Sequence, residues 1–202
     1  AATLAHVIPG VWVESAQAKS AGFFESEFGI TDDLCKKALE QALSKGGDFA
    51  DIYFEHTISN WVSLEDGKVD RASGSIDLGV GIRTVKGDQT GYGFTQELTE
   101  ASILAAAATA ATIANGSPKQ SAKSYVQLKT DNHYPLEKLF TEVSLSSKLP
   151  LVKSVNEKCF ALSDAIIKVN ATMHDQQKRM MILTSDGVKA EDLIPRNYLS
   201  AS

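Results

Sequence analysis

The chain has 202 residues but only two cysteines, Cys35 and Cys159, which lie far apart in the sequence. A small domain held together by disulfides needs more cysteines at closer spacing, so that class of protein is excluded. Both cysteines fall in segments with a helical pattern, and free cysteine is among the residue types most often buried. We therefore predict two unpaired thiols in the core.

Long apolar runs and basic clusters are also missing. No stretch approaches the roughly 20 apolar residues of a membrane-spanning helix, so we expect no membrane span. Lysines and arginines are scattered through a chain of net charge −5, which argues against direct binding of nucleic acid. With 43% hydrophobic and 22% charged residues, the composition is that of an ordinary globular protein of one or two domains.

Short motifs of common catalytic and metal sites are absent as well. The sequence has no Cys-x-x-Cys pair, no P-loop, no Gly-x-Ser-x-Gly element and no two histidines four residues apart. Lone His56 is predicted on the core face of a strand. Three pairs of adjacent acids occur: Asp32-Asp33, Glu65-Asp66 and Glu191-Asp192. A helix start, a turn and a polar loop explain these pairs better than acid–base catalysis.

The first half of the sequence predicts a helix followed by strands. Thr31 is placed to cap a helix that ends at Gly46-Gly47. Apolar and polar residues then alternate over 50–64, which is typical of a half-buried strand, and Asp66-Gly67 favours a hairpin turn. We predict further strands at 68–72, 76–85 and 90–95, with a turn at 86–88. A helix from Thr99 through an alanine-rich block follows.

The second half predicts a polar linker over 117–135, a helix containing Leu149 and Val155, and strands at 166–173 and 180–184 joined by a polar turn at 175–177. We therefore expect an α/β fold of the α+β type, a twisted, mainly antiparallel sheet with helices packed on one side. The predicted divisions are 1–26 (a signal-like or arm segment), 27–116 (an α/β domain), the linker, and 136–202 (an incomplete helix and hairpin). The missing terminal helix or tail suggests a truncated fragment of a longer protein.

Four glycines at matched spacing are the most specific feature of the chain. If Gly81 pairs with Gly91 across the predicted turn, Gly79 pairs with Gly93, and one sheet face has four neighbouring positions without side chains. Glycine inside a strand weakens it and often marks the close approach of another backbone or a ligand. The glycine spacing is not the Gly-x-Gly-x-x-Gly of a phosphate-binding loop. In addition, no helix begins directly after either pair, so the structural context of such a loop is missing.

Two interpretations of this glycine face stay open. A neighbouring helix or strand packs closely on it, or an extended peptide or a partner's backbone lies there. In the second case Asp77 and Arg83 would border the guest. In either case, alternation along the strand predicts Tyr92 and Phe94 on the core face. The hypothetical set for binding a substrate or partner is Asp77, Gly79, Gly81, Arg83, Gly91 and Gly93.

In their order along the chain, these segments resemble the TldD/PmbA family. The resemblance runs through ADIYFE at 50–55, LEDGKV at 64–69, DLGVGIR at 77–83 and TGYGF at 90–94. It continues into the alanine-rich helix and, in the second half, to Ser185-Asp186-Gly187 and Pro195-Arg196, so it covers about residues 31–196. The GVGIR and TGY pieces look more like the TldD branch than the PmbA branch.

The resemblance implies a two-subunit protease that degrades or trims peptides, and family names also refer to modulation of DNA gyrase. In TldD-type subunits a His-Glu-x-x-x-His motif in the C-terminal half binds zinc, whose bound water attacks the peptide carbonyl. That motif is absent here, so zinc is expected in a missing C-terminal half, and no catalytic or metal residue is carried over. Expected partners are a peptide substrate and a family paralogue, in a homo- or heterodimer.

Two alternatives to this function remain open. The parent protein could be a PmbA-like, non-catalytic partner subunit, or the chain could be an exported peptide-binding module. The family resemblance implies a cytoplasmic location for the protein. The apolar N-terminal stretch followed by Ala16-Gln17-Ala18 resembles a secretory signal without its basic start, which also allows export.

Overall fold

The computed structural model of the protein describes residues 22–128 and 136–202. Helices in this part of the chain are α1 (Phe23–Phe28), α2 (Asp32–Leu43), α3 (Glu100–Ala111) and α4 (Leu145–Phe160), with a short 3-10 helix at Phe140–Glu142. Strands are β1 (Phe49–Glu65), β2 (Lys68–Lys86), β3 (Gln89–Thr95), β4 (Val126–Gln127), β5 (Asn170–Thr184) and β6 (Val188–Ala201).

All six strands form one sheet in the order β3-β2-β1-β5-β6-β4. Every neighbouring pair is antiparallel except β4 and β6, which are parallel. Core residues of β1 have even numbers, and Ile52 packs with α2 and α3 while Val62 packs with α4. Because alternate residues of a strand point to opposite faces, these helices cover the same face. The predicted fold class is confirmed.

Local signals set the starts of the helices as predicted. The Thr31 hydroxyl oxygen accepts a hydrogen bond from the Leu34 backbone N–H at 3.2 Å, and Thr99 does the same for Ser102 at 3.2 Å. Each threonine satisfies a backbone donor that the first helical turn leaves unpaired. Asp32 and Asp33 follow in the first turn of α2, where the positive end of the helix dipole favours acids.

A belt of polar pairs divides the helix-covered face into two apolar clusters. The larger cluster lies between α1, α2, α3 and the sheet, and the smaller one lies beneath α4. Between them the β1–β5 register places His56 beside Arg179 and Asn60 beside Asp175. Lys148 of α4 places its Nζ 2.7 Å from Asp175 Oδ2, an ion pair rather than an aligned hydrogen bond, and both side chains are buried.

Both polar breaks predicted within strands are wrong. Residues 68–72 and 76–85 belong to the single strand β2, which pairs along its length with β1. The predicted turn at 175–177 lies inside β5. Asp175 accepts a hydrogen bond from Asn60 at 2.9 Å, and Gln177 accepts one from the Phe140 backbone N–H at 3.0 Å. These partners let polar side chains stay buried in a continuous strand.

Several predicted segments can be located only in part. Residues 1–21 lie outside the described part of the chain, so the signal-like sequence is not described, while Phe24 of the predicted arm is 1% exposed in the core. β1 and β5, from different predicted domains, pair directly, and the domain division stays a prediction. Cys35 is buried and Cys159 is half-buried, and both are free. None of the described helices has the length and apolar character needed to cross a bilayer.

Candidate functional site

The pairing of β2 with β3 separates the four glycines. Lys86 pairs with Gln89 around a two-residue turn, so Gly81 lies opposite Phe94 rather than opposite Gly91. Gly91 lies opposite Thr84, three positions from the predicted partner. A shift by an odd number of residues moves every side chain of a strand to the other face. The predicted face of four glycines is therefore wrong.

Gly91 and Gly93 lie beneath α3. A Cβ atom added at Gly93 would be 2.0 Å from the Ala106 carbonyl oxygen, and one at Gly91 would be 2.4 Å from that of Ala110. No side chain fits at either distance. The small residues of α3 and these two glycines thus allow the helix to lie directly on the strand, as the interpretation of close packing predicted for this part of the face.

The aromatic residues between these glycines have the opposite orientation from the one predicted. Tyr92 is 65% exposed and Phe94 is 83% exposed, whereas both were expected in the core. They project from the other side of the sheet, together with Tyr53 of β1 and Arg83 of β2. We call this side the open face, because none of the described helices packs on it.

Four of the six predicted site residues remain together on the open face. Asp77, Gly79, Gly81 and Arg83 alternate along β2. Gly79 and Gly81 form the floor of a hollow of about 240 Å³, which Asp77 and Phe94 also line. A Cβ atom at Gly81 would meet no atom within 4 Å, so its missing side chain leaves open space.

Glu55, which is not among the predicted site residues, is the best-anchored acid beside this hollow. Its carboxylate accepts hydrogen bonds from Tyr53 Oη at 2.6 Å, Thr57 Oγ1 at 2.8 Å and Lys178 Nζ at 2.9 Å. Burial raises the pKa of Glu55, but these hydrogen bonds outweigh burial and leave the pKa below its usual value. Burial and the Glu55 hydrogen bond raise the pKa of Tyr53. At neutral pH the pair is a carboxylate and a phenol.

Arg83 is engaged within the sheet rather than free to receive a guest. Its Nε lies 3.0 Å from Asp51 Oδ2 on the neighbouring strand. That hydrogen bond is the main cause that raises the pKa of Arg83, and Tyr92 contributes as well. The pair is partly exposed, so it holds two side chains in place without a large contribution to stability.

A second hollow of about 180 Å³ lies farther along the open face, near Trp61. The guanidinium carbon of Arg71 is 5.6 Å from the centre of the Trp61 ring, and the His174 ring is 5.2 Å from it. His174 also stacks on Tyr198 at 6.0 Å. His174 lies within β5, because the turn predicted at 175–177 does not form. The period-two pattern that put Asp77 and Arg83 on one face of β2 could also have predicted that Trp61 lies on the open face of β1.

The remaining ionisable candidates have structural roles. His56 lies against the rings of Phe23 and Phe28 on the helix-covered face, as predicted, and burial, with a contribution from Arg179, lowers its pKa. Asp66 is in the predicted turn and accepts a hydrogen bond from the Val169 backbone N–H at 3.0 Å. Glu191 lies in β6 rather than in a polar loop, and burial raises its pKa.

No described group of three or more His, Cys, Asp and Glu side chains is arranged to hold a metal ion. Of the four histidines, His56 and His174 are on opposite sides of the sheet. His6 and His133 lie outside the described residues. Residues 22–128 and 136–202 therefore offer no set of zinc ligands, and no catalytic step is assigned to them.

Known proteins with similar sequences share one family name. The chain is 31% identical to a metalloprotease TldD homolog of Haemophilus influenzae over 162 residues, which are 77% of this chain and 33% of that protein. It is 25% identical to the homolog of Buchnera aphidicola subsp. Acyrthosiphon pisum over 178 residues, 86% of this chain and 36% of that protein. Residues 50–114 match the family model described as PmbA/TldA metallopeptidase domain 1.

The chain belongs to the TldD/PmbA family. The resemblance predicted from the ordered segments is thus confirmed. The chain spans 33–38% of the length of the curated TldD homologs that it matches.

Solved structures of the TldD/PmbA family have the same fold as this chain. A candidate modulator of DNA gyrase from Bacteroides thetaiotaomicron superposes with a TM-score of 0.62 at 22% identity, covering 85% of this chain and 41% of that protein. One from Thermotoga maritima gives 0.61 at 19% identity, covering 84% and 39%. TldE from Thermococcus kodakarensis gives 0.56 at 15% identity, covering 83% and 37%. At these identities the likeness concerns the fold alone.

Proposed function

We propose that this chain works in peptide hydrolysis as the N-terminal part of a TldD-type zinc metallopeptidase. The observation that carries the proposal is the name metalloprotease TldD homolog, shared by three curated relatives that align over 77–94% of the chain. The pieces at 79–83 and 90–92, which look more like the TldD branch, support the same assignment. In this account the chain meets a peptide substrate and a family paralogue in a dimer.

Within that enzyme we assign the described residues to substrate contact and support rather than to catalysis. They contain no metal-binding group, as the arrangement of their histidines and acids shows. Their distinctive feature is the open face, where exposed Tyr92 and Phe94 adjoin the glycine-floored hollow. An exposed apolar patch bordered by polar groups is typical of an interaction surface. We propose that this face lines the substrate channel or the dimer contact.

Turnover of an unfolded peptide by the full-length protein tests the enzymatic proposal. The full-length protein is purified alone and with its family paralogue, loaded with zinc, and cleavage of casein peptides is followed by mass spectrometry. We expect cleavage that a zinc chelator abolishes and added zinc restores. Absence of cleavage by the zinc-loaded complex would contradict the proposal.

A PmbA-like subunit without catalytic activity is the second candidate. It is compatible with the lack of a His-Glu-x-x-x-His motif in these 202 residues. In the experiment above, this candidate predicts that the purified protein does not cleave the peptides alone. Addition of a paralogue that carries its own zinc motif would then produce cleavage, and a zinc-site substitution in that paralogue alone would remove it.

A further inference from the structure

The hollow on the open face is walled by two aromatic rings with a gap between them. Gly81 pairs with Tyr53 on one side and with Phe94 on the other, so all three positions form one row across β1, β2 and β3. Neighbouring strands are about 4.8 Å apart, which puts the two aromatic positions about 10 Å apart. Because Gly81 has no side chain, the space between them is open.

Two carboxylates lie beside this gap. Glu55 pairs with Gly79 in the next row, and Asp77 pairs with Thr57 in the row after it. We call the hollow lined by Tyr53, Glu55, Asp77, Gly79, Gly81 and Phe94 the acidic slot.

The two acids differ in how far they are already engaged. Lys178 and two hydroxyl groups hold Glu55 from the β1 and β5 side. Asp77 is exposed and forms no hydrogen bond or ion pair with another described residue. The positive charge of Lys178 offsets the negative charge of Glu55. The acidic slot therefore keeps one uncompensated negative charge, that of Asp77.

The shape and charge of the acidic slot select its ligand. At about 240 Å³ it is smaller than the roughly 300–1,000 Å³ of sites for drug-sized ligands, so it suits a single side chain. Aromatic walls and a glycine floor favour an apolar stem, and a cation gains further from aromatic faces and from Asp77. A lysine or arginine side chain combines these features.

We propose that the acidic slot binds a lysine or arginine side chain of a peptide that lies on the open face. Phe94 and Tyr53 flank the aliphatic stem, and Asp77, with Glu55 behind it, receives the cationic end. This inference rests on the proposed function, since it names the class of peptide that the open face would accept. It predicts a preference for peptides with a basic residue.

Binding of two matched peptides to the 202-residue chain tests this inference without any turnover. The probes are blocked, fluorescein-labelled pentapeptides of four alanines with a central lysine or a central glutamate. Fluorescence anisotropy should show binding of the lysine peptide at least about tenfold tighter than the glutamate peptide, and weaker binding at higher salt. Equal affinities of the two peptides, or no binding of either, would overturn the inference.

Three variants locate the site. Asp77→Asn should weaken lysine-peptide binding about tenfold, whereas Asp88→Asn, a matched change in the exposed β2–β3 turn, should leave it unchanged. Gly81→Val fills the acidic slot and should abolish binding while circular dichroism stays that of the parent. Unchanged binding by both Asp77→Asn and Gly81→Val would refute the site. Failure of the proposed function is a separate result, because it appears as a lack of cleavage by the full-length zinc-loaded complex and not as a loss of peptide binding.

Discussion

Two Gly-x-Gly pairs in one hairpin serve opposite sides of the same sheet. Gly91 and Gly93 of β3 lie under α3, where a single added carbon atom would overlap the helix backbone. Gly81 of β2 faces open space within the acidic slot. The same residue type at the same spacing thus permits close packing on one face and leaves a hollow on the other. A glycine pattern alone does not distinguish these two uses.

The largest loss of stability is expected from a substitution on the packed side of the hairpin, beneath α3. Gly93→Ala places a Cβ atom 2.0 Å from the Ala106 carbonyl oxygen, which belongs to a helix backbone and cannot rotate away. We expect a loss of about 4–5 kcal/mol in the free energy of unfolding, at the upper end for single substitutions, or failure to fold. Urea unfolding followed by circular dichroism measures it. A loss below about 1 kcal/mol would mean that α3 does not rest on Gly93.

A pair of aspartates extends the comparison to charge. Asp175→Ala leaves Lys148 buried without its partner on the helix-covered face, and we expect a cost of about 3 kcal/mol. This is the lower end for breaking a buried ion pair, because the freed lysine can extend towards solvent. Asp51→Ala removes the partly exposed pair with Arg83 on the open face and should cost at most about 1 kcal/mol. Equal costs in urea unfolding would contradict the assigned difference between the faces.

The pH dependence of stability should carry a contribution from the helix-covered face. Burial, with Arg179 nearby and Glu27 acting weakly in the opposite direction, lowers the pKa of His56 below the usual 6.5. The unfolded chain therefore binds a proton at His56 more readily than the folded chain does. Stability from this group is present above pH 6.5 and is lost as the pH falls through the folded-state pKa.

We expect the parent to lose more unfolding free energy than His56→Gln when the pH is lowered from 7.5 to 5.5. Urea unfolding at both pH values measures the two losses. Losses of the same size in parent and variant would show that His56 does not titrate differently in the folded and unfolded chains.

The smallest effect is expected on the open side of the hairpin. Gly81→Ala adds a methyl group where no atom lies within 4 Å, in backbone that does not need a positive φ. The free energy of unfolding should stay within about 0.5 kcal/mol of the parent, because the site is free of the features that make substitutions costly. A loss of several kcal/mol would show that the acidic slot is filled in the folded chain.

Alternation along single strands was predictable from the sequence, but pairing between strands was not. Ile52 and Phe54 are buried as their period-two pattern predicts. The predicted pairing of the β2–β3 hairpin is wrong because Gly81 opposite Gly91 requires a turn centred near residue 86, whereas the chain turns at Gly87-Asp88. That displacement is enough to exchange the two faces of β3.

Polar residues inside strands were the other source of error. Asp175 and Gln177 were interpreted as a turn, yet both are buried in β5. Their partners, Lys148 and the Phe140 backbone, come from segments whose position depends on the tertiary fold. Pattern within one segment cannot reveal such partners. The role of Glu55 could not be predicted for the same reason, because its carboxylate is held by Lys178 of a strand distant in the sequence.

Nuclear Overhauser contacts across the β2–β3 hairpin of the 202-residue chain measure the pairing that separates the two glycine pairs. We expect cross-strand contacts between Gly81 and Phe94 and between Arg83 and Tyr92. We also expect contacts from Gly93 to Ala106 of α3. Contacts linking Gly81 with Gly91 and Gly79 with Gly93 would instead place all four glycines on one face, and the separation of the two pairs would then be wrong.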